Sequence, residues 1–126
     1  MVEEGGDINS WKVLNKWVDD NVNFPGGAYR QWIKELYQGN KLIKGEFKLG
    51  GNAVDLSRIK ANLLALAGVN DHIVRLPQAK AAIEAMSSVD KEYHEFSIGH
   101  GGLVFGKVAK TEVYPLLSDW LAARSD

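Results

Sequence analysis

The sequence predicts an α/β fold on three observations. An apolar run from Leu63 to Ala67 leads to Asp71, a helical apolar pattern covers Ala79 to Met86, and a strand-like run from Tyr93 to Ile98 leads to His100. An acid and an imidazole after successive strands are how a doubly wound sheet presents the last two members of a nucleophile, acid and base triad. The first member has no ordinary candidate. The chain contains no cysteine, and none of its seven serines sits in a Gly-x-Ser-x-Gly turn between a strand and a helix.

Taken in order, Ser10 is a helix cap by type, and Trp11, Leu14, Trp17 and Val18 follow at three- and four-residue spacing, so an amphipathic helix is expected. Asn23-Phe24-Pro25-Gly26-Gly27 breaks it. A second helix carries Tyr29, Trp32, Ile33, Leu36 and Tyr37 on one face, and Gly39-Asn40 ends that helix. Glu46 to Leu49 alternates like a short strand, Gly50-Gly51-Asn52 reads as a turn, and Val54 to Ile59 leads into the strand from Leu63 to Ala67. That strand is apolar without a break, which suggests burial on both faces in a parallel sheet. Pro77 suits the first turn of a helix with Ala79, Ala82, Ile83 and Met86 inward. After the strand from Tyr93 to Ile98, a closing helix carries Val113, Leu116, Leu117, Trp120 and Leu121, with Pro115 in its first turn or kinking it.

Composition narrows the function classes. With 126 residues, 45% hydrophobic and 25% charged, the chain is long enough for one domain that buries roughly two thirds of its unfolded surface. We expect a single domain over 1–126, with a helical segment at 1–40 and a βαβα segment bearing the acid and the histidine at 41–126. A formal net charge of -1 with interspersed signs offers no basic stripe, so no nucleic-acid partner is expected. The absence of cysteine excludes disulfides and thiolate metal sites and fits a reducing, cytoplasmic setting. No stretch has the length or apolarity of a secretory signal or a membrane span. Three scattered histidines without thiolates predict no metal, and no cofactor is expected.

The order strand, Asp turn, helix, strand, His turn, helix is what remains of an α/β-hydrolase sheet cut after its cap region. The expected fold class is a partial α/β-hydrolase-like sheet with flanking helices, lacking the nucleophile-elbow half. Ligands of such sheets bind beyond the carboxyl ends of the strands, where Asp71 and His100 fall. His100 would take a proton from a nucleophile and return it to a leaving group, and Asp71 would hold the imidazole tautomer and stabilise its cation.

The stretch FPGGAYRQWIKELYQGNKLIKGEFKLGGNAVDLSRIK, with GVNDHIV and IGHGGLVFGKVAK, resembles the segment after the cap, the acid segment and the histidine segment of the polyhydroxyalkanoate synthases. The resemblance runs from about Trp11 to Arg124 and covers the C-terminal third of such an enzyme. It implies an acyltransferase in which a cysteine attacks an acyl thioester, an aspartate assists and a histidine serves as base. Asp71 and His100 carry over by motif position; the cysteine has no counterpart here. Two departures stand out. Val74-Arg75-Leu76-Pro77 replaces a Val-Pro-Pro-like turn, so the next helix is entered differently, and Gly101-Gly102 replaces a β-branched continuation, predicting a looser turn after His100. The His-Gly-Gly run is not an oxyanion loop, because that loop precedes the nucleophile in chain order.

Taken singly, an Asp after a strand is a turn former and a His before Gly-Gly is a solvated loop residue. His72 reads as a packing or hydrogen-bonding neighbour, and His94 as a mid-strand residue on the face of Phe96. Trp11, Trp17, Tyr29, Trp32 and Tyr37 could line an acyl-chain channel, but their helical spacing predicts core packing. Three functions from different classes follow. The first is a synthase-like fragment, inactive alone, that lends Asp71 and His100 to a nucleophile on another, synthase-like chain; only that complex would contact a hydroxyacyl-CoA or the polymer. The second is a non-catalytic protein that self-associates as a homo-oligomer or binds a synthase or a granule, because missing upstream strands would uncover a sheet edge. The third is a small esterase using Ser97 or Ser57, disfavoured because Ser97 lies on a strand and not on a strained elbow.

Overall fold

A computed structural model describes residues 8–125, without the side chain of Ser10. The chain divides into two compact units, Met1–Gln38 and Gly39–Asp126, and each is described by itself.

In the first unit, helix α1 spans Ile8–Asp19. Ser10 therefore lies inside the helix and is not its cap. Helix α2, Gly26–Gln31, runs on as a π-helical stretch, Trp32–Gln38, and Asn40 at φ +49° takes the left-handed conformation that stops a helix. Trp11, Trp17, Tyr29, Trp32 and Tyr37 are all exposed, so the expected core packing is corrected. A unit this short has too little chain to enclose a core. Its rings stack on one another instead: Phe24, Tyr29 and Trp32 meet edge to face, with centroids 5.9 to 6.4 Å apart.

The second unit is α/β. Strands β1 (Lys48–Leu49) and β2 (Asn52–Ala53) form an antiparallel hairpin. The turn is shorter than the sequence suggests: Asn52 pairs with Leu49, and Gly50 and Gly51 alone make it, both at positive φ. A single 3-10 turn, Leu56–Arg58, follows, with the Asp55 side chain accepting from the Ser57 N–H at 2.9 Å. Strand β3 (Leu63–Gly68), helix α3 (Leu76–Ala85) and strand β4 (Lys91–Phe96) form a βαβ unit in which the strands pair in parallel, Leu63 opposite Lys91 and Gly68 opposite Phe96. Strand β4 starts and ends two residues before the run read from the sequence, because the Ile98 N–H turns back to the Phe96 carbonyl at 2.8 Å. Helix α3 carries Pro77 in its first turn, and Gln78 Oε1 accepts the Arg75 N–H at 2.7 Å.

The closing helical segment comprises α4 (Gly106–Val108), a π-helical stretch Ala109–Val113 and α5 (Tyr114–Ala122). Pro115 has no N–H to give the preceding turn, and the wider π stretch just before it absorbs that loss without ending the helix. Ala109 and Val113 are buried with Phe47, Ala67 and Phe96, and among the described residues these form the apolar core. Leu117 and Leu121 of the closing helix are exposed. Strand β3 is only half-buried from Leu63 to Leu66, because among the described residues it has one neighbouring strand and not two.

The end of α5 is tied to the start of β4 by charge. Arg124 Nη2 lies 2.8 Å from both Asp90 Oδ1 and Glu92 Oε1, and its guanidinium stacks 4.2 Å from the centre of the Trp120 ring. The hydrogen bond from Arg124 holds the Asp90 carboxyl below the usual range. Lys91 Nζ donates to the carbonyls of Ile83 (3.3 Å) and Met86 (2.8 Å), closing the C-terminal end of α3. Among the described residues no helix is long and apolar enough to cross a membrane.

Gly68 has a steric reason to be glycine. A Cβ there would stand 2.5 Å from the Ile98 carbonyl oxygen, a backbone atom of the segment that leads to His100. Gly68→Ala is therefore expected to lower the unfolding free energy by about 1–3 kcal/mol, the usual range for overpacking. Urea denaturation followed by circular dichroism checks it, and an unchanged midpoint would mean that the two segments are not in this contact.

Candidate functional site

Because β3 and β4 run parallel, their C-terminal ends lie side by side, and the hydrogen bonding continues past both. The Val69 N–H donates to the Phe96 carbonyl at 2.8 Å, and the Asn70 N–H to the Ile98 carbonyl at 3.1 Å. The Asp71 N–H folds back to the Gly68 carbonyl at 3.1 Å. On the other strand, the chain leaves Phe96 through Gly99 into a 3-10 turn, His100–Leu103. That turn is tight, which corrects the looser one expected from Gly101-Gly102. The Gly102 N–H bonds to the Gly99 carbonyl at 3.0 Å, the Phe105 N–H to the Gly101 carbonyl at 2.8 Å, and a Cβ on Gly102 would meet the Ile98 side chain at 2.7 Å. The Tyr114 hydroxyl donates to the Val104 carbonyl, fixing the loop after His100 to the closing helix.

These turns bring Asp71 and His100 together across 29 residues of sequence: His100 Nδ1 lies 2.8 Å from Asp71 Oδ2. The other carboxylate oxygen, Oδ1, accepts the N–H groups of Ile73 (2.8 Å) and Val74 (2.9 Å). Asp71 is 5% exposed, whereas the His100 side chain is 52% exposed. Burial pushes the Asp71 carboxyl up, but the Val74 N–H, His100 and the Ile73 N–H together outweigh it and hold the group below its ordinary value of 3.8. An ionised carboxylate only accepts, so Nδ1 carries the proton of the contact, and in the neutral ring Nε2 is left as the basic nitrogen. The arrangement is an oriented, partly exposed base backed by a shielded anion. It can accept a proton at Nε2 and stabilise the cation that results.

The remaining sequence candidates lie elsewhere. His72 is exposed and takes no part in the pair. His94 Nε2 lies 3.2 Å from Glu92 Oε2 on β4. The Ser57 hydroxyl donates to Asp55 Oδ1 at 2.6 Å, and Ser97 is exposed just beyond β4. Among the described residues no three histidine, aspartate or glutamate side chains converge as metal ligands would. A depression of about 540 Å³ lies beside Glu92, His94, Leu116 and Trp120, toward the start of β4, and does not include the pair. Residue typing alone did not single out the two N–H groups on Asp71 Oδ1. Their signal is the familiar one of an aspartate bonding to the backbone two residues on, so Asp71 is a turn former and a partner of His100 at once.

The fold and this pair define a class, an α/β segment that presents an acid and a histidine at adjacent parallel strand ends. The chain belongs to the family described as PHB de-polymerase C-terminus, whose profile matches residues 6–125. Curated relatives are named poly(3-hydroxyalkanoate) polymerase subunit PhaC. The protein from Haloferax mediterranei is 31% identical over 99% of this chain and 25% of its own length. That from Allochromatium vinosum is 31% identical over 98% of this chain and 35% of its own. That from Synechocystis is 35% identical over 88% of this chain and 30% of its own. The chain thus spans roughly a quarter to a third of the length of the relatives it matches. No solved structure matches it significantly.

The lowered Asp71 carboxyl has a direction in pH. A depressed folded value contributes stability that is present above 3.8 and is lost as pH falls through the lowered value. Asp71→Asn should therefore melt below the wild type at neutral pH, with the gap closing in acid below 3.8. Thermal melts across that range read it directly, and a gap independent of pH would deny the carboxylate this role.

Proposed function

We propose that this chain is the acid- and base-bearing portion of a polyhydroxyalkanoate-synthase-like acyltransferase. It is a partial α/β-hydrolase-like sheet that lacks the nucleophile-elbow half and has no turnover on its own. The observation that carries the reading is the 2.8 Å contact from His100 Nδ1 to Asp71 Oδ2, formed by two separate strand ends of a parallel pair. Membership of the PHB de-polymerase C-terminus family and the similarity to polymerase subunits support it.

In this reading a nucleophile from outside these 126 residues, a cysteine in the family resembled, comes up to His100 Nε2. The imidazole takes the thiol proton, the thiolate attacks the carbonyl of a hydroxyacyl thioester, and the protonated ring returns the proton to the departing thiolate. Asp71 stays ionised throughout and holds the ring by Nδ1. The setting is the cytoplasm, where hydroxyacyl-CoA is the acyl donor.

A second reading has its own observation in favour. Trp11, Trp17, Tyr37, Leu117 and Leu121 are exposed, and among the described residues neither outer edge of the β3–β4 sheet is paired, which suits a non-catalytic protein that self-associates or binds a synthase or a granule.

The two readings separate in one assay. The chain is mixed or co-produced with the Allochromatium vinosum relative shortened by the segment this chain matches, and release of coenzyme A from a hydroxyacyl-CoA is followed. Activity is expected only with both parts present, with His100→Ala and Asp71→Asn each reducing it by roughly 10³–10⁴-fold, as for triad members elsewhere. Full activity with His100→Ala would dismiss the catalytic reading. A stable homo-oligomer with no turnover in any mixture would favour the second.

A further inference from the structure

We infer that Tyr114 is a positioning residue: by holding the Val104 carbonyl, it keeps the turn that carries His100 where Nδ1 meets Asp71. The inference rests on the reading above and deepens it by adding to the pair a third side chain, one that touches no reacting atom.

Bonds inside the turn give it a shape. The Gly102 N–H donates to the Gly99 carbonyl at 3.0 Å, and the N–H groups of Val104 and Phe105 both donate to the Gly101 carbonyl, at 3.1 and 2.8 Å. All three lie within residues 99–105, so they do not fix where the turn sits. Half of residues 99–106 are glycine, and Gly106 takes φ +92°, so the backbone on either side of His100 has much freedom to pivot. On the near side, the bond from the Asn70 N–H to the Ile98 carbonyl, 3.1 Å long, holds the entry. On the far side, the Tyr114 hydroxyl reaches back ten residues to the Val104 carbonyl.

Exposure shows what that last bond is for. Val104 is 56% exposed, so water can satisfy its carbonyl, and no buried acceptor calls for the hydroxyl. What the tyrosine supplies and water does not is a fixed point. Tyr114 opens α5 directly after Val113, which is 2% exposed, and Ala109, at the start of the same π-helical stretch, is fully buried. The anchor is thus seated in the core, and a phenol freezes only two side-chain torsions in reaching out from it. A ring that must be held to within about 0.5 Å gains from such a support.

The contact to Asp71 is the part that depends on it. Asp71 is buried, and its Oδ1 is tied by the N–H groups of Ile73 and Val74, so the carboxylate cannot follow an imidazole that swings away. Displacement of the turn would lengthen the Nδ1 contact and let the neutral ring carry its proton on Nε2, where it is no longer a base toward a nucleophile.

Removing the hydroxyl alone tests the inference. The Tyr114 ring is 43% exposed and stays in place in Tyr114→Phe, so the fold is kept, which circular dichroism checks. In the isolated chain at about pH 9, where an ordinary imidazole is neutral, ring-nitrogen chemical shifts report which nitrogen bears the proton, and His100→Ala assigns the His100 signals. The wild type is expected to show Nδ1–H, and Tyr114→Phe to shift His100 toward the Nε2–H form. With the chain joined as one polypeptide to the Allochromatium vinosum relative shortened by the segment it matches, Tyr114→Phe should lower kcat of acyl transfer about 10-fold at unchanged KM. Para-aminophenylalanine in place of Tyr114 keeps a donor near the same point and should restore both readouts. An Nδ1–H ring as complete in Tyr114→Phe as in the wild type would overturn the inference and leave the proposed function standing. A shifted tautomer in Tyr114→Phe, with no acyl transfer by the wild-type fusion, would uphold the positioning and sink the catalytic reading.

Discussion

The parallel register of β3 and β4 is the constraint on which the rest depends. It sets Gly68 opposite Phe96 and so brings the two exits of the sheet to the same place. Beyond the last ladder pair, the bonds from Val69 to Phe96 and from Asn70 to Ile98 carry the alignment into the loops. Asp71 and His100 each sit a few residues past their strand, close enough that neither loop has freedom to separate them. A one-residue slip would reverse the side to which each strand end points and take the carboxylate out of reach of Nδ1. The contact is thus a consequence of backbone pairing. The side chains add only the last ångström.

The two ends of the sheet are held by different physics. At the start of β4, Arg124 forks onto Asp90 and Glu92, and Lys91 closes α3; both use long charged side chains at a partly exposed surface. At the other end close packing does the positioning: Gly68 against the Ile98 carbonyl, Gly102 against the Ile98 side chain, and the Tyr114 hydroxyl on Val104. The division suits a site that must expose one ring nitrogen. A cationic fork beside His100 would compete for the Asp71 carboxylate, whereas glycine contacts bring the backbone close and leave the electrostatics to the pair.

The α/β character and the residues at the strand ends were legible because they depend on local signals: an unbroken apolar strand, a Pro-initiated helix, and an acid and a histidine after successive runs. The register was not, because Tyr93 to Ile98 and Lys91 to Phe96 are equally plausible strands until the Ile98 N–H is seen turning back on Phe96. The core packing expected of the aromatic set was misread for a related reason. The spacing of Trp11, Trp17, Tyr29, Trp32 and Tyr37 says which residues share a helix face, but what covers that face depends on polypeptide that periodicity cannot see. The tightness of the turn after His100 was hidden because two glycines read as freedom, whereas here Gly102 is required by the approach of Ile98.

The family is described by a depolymerase, and the curated relatives are named polymerases; in the proposed reading the pair suits either chemistry. A histidine held by Nδ1 and open at Nε2 takes a proton from whatever nucleophile is presented and later from whatever acceptor resolves the acyl group. If the acceptor is water the result is hydrolysis; if it is the hydroxyl of another acyl chain the result is polymer growth. Nothing in the Asp71–His100 contact distinguishes the two, because both transition states ask the same of the imidazole. In the proposed reading, specificity therefore lies in the walls that admit or exclude water around Nε2, and His100, half exposed in this chain, acquires those walls only from the polypeptide that brings the nucleophile.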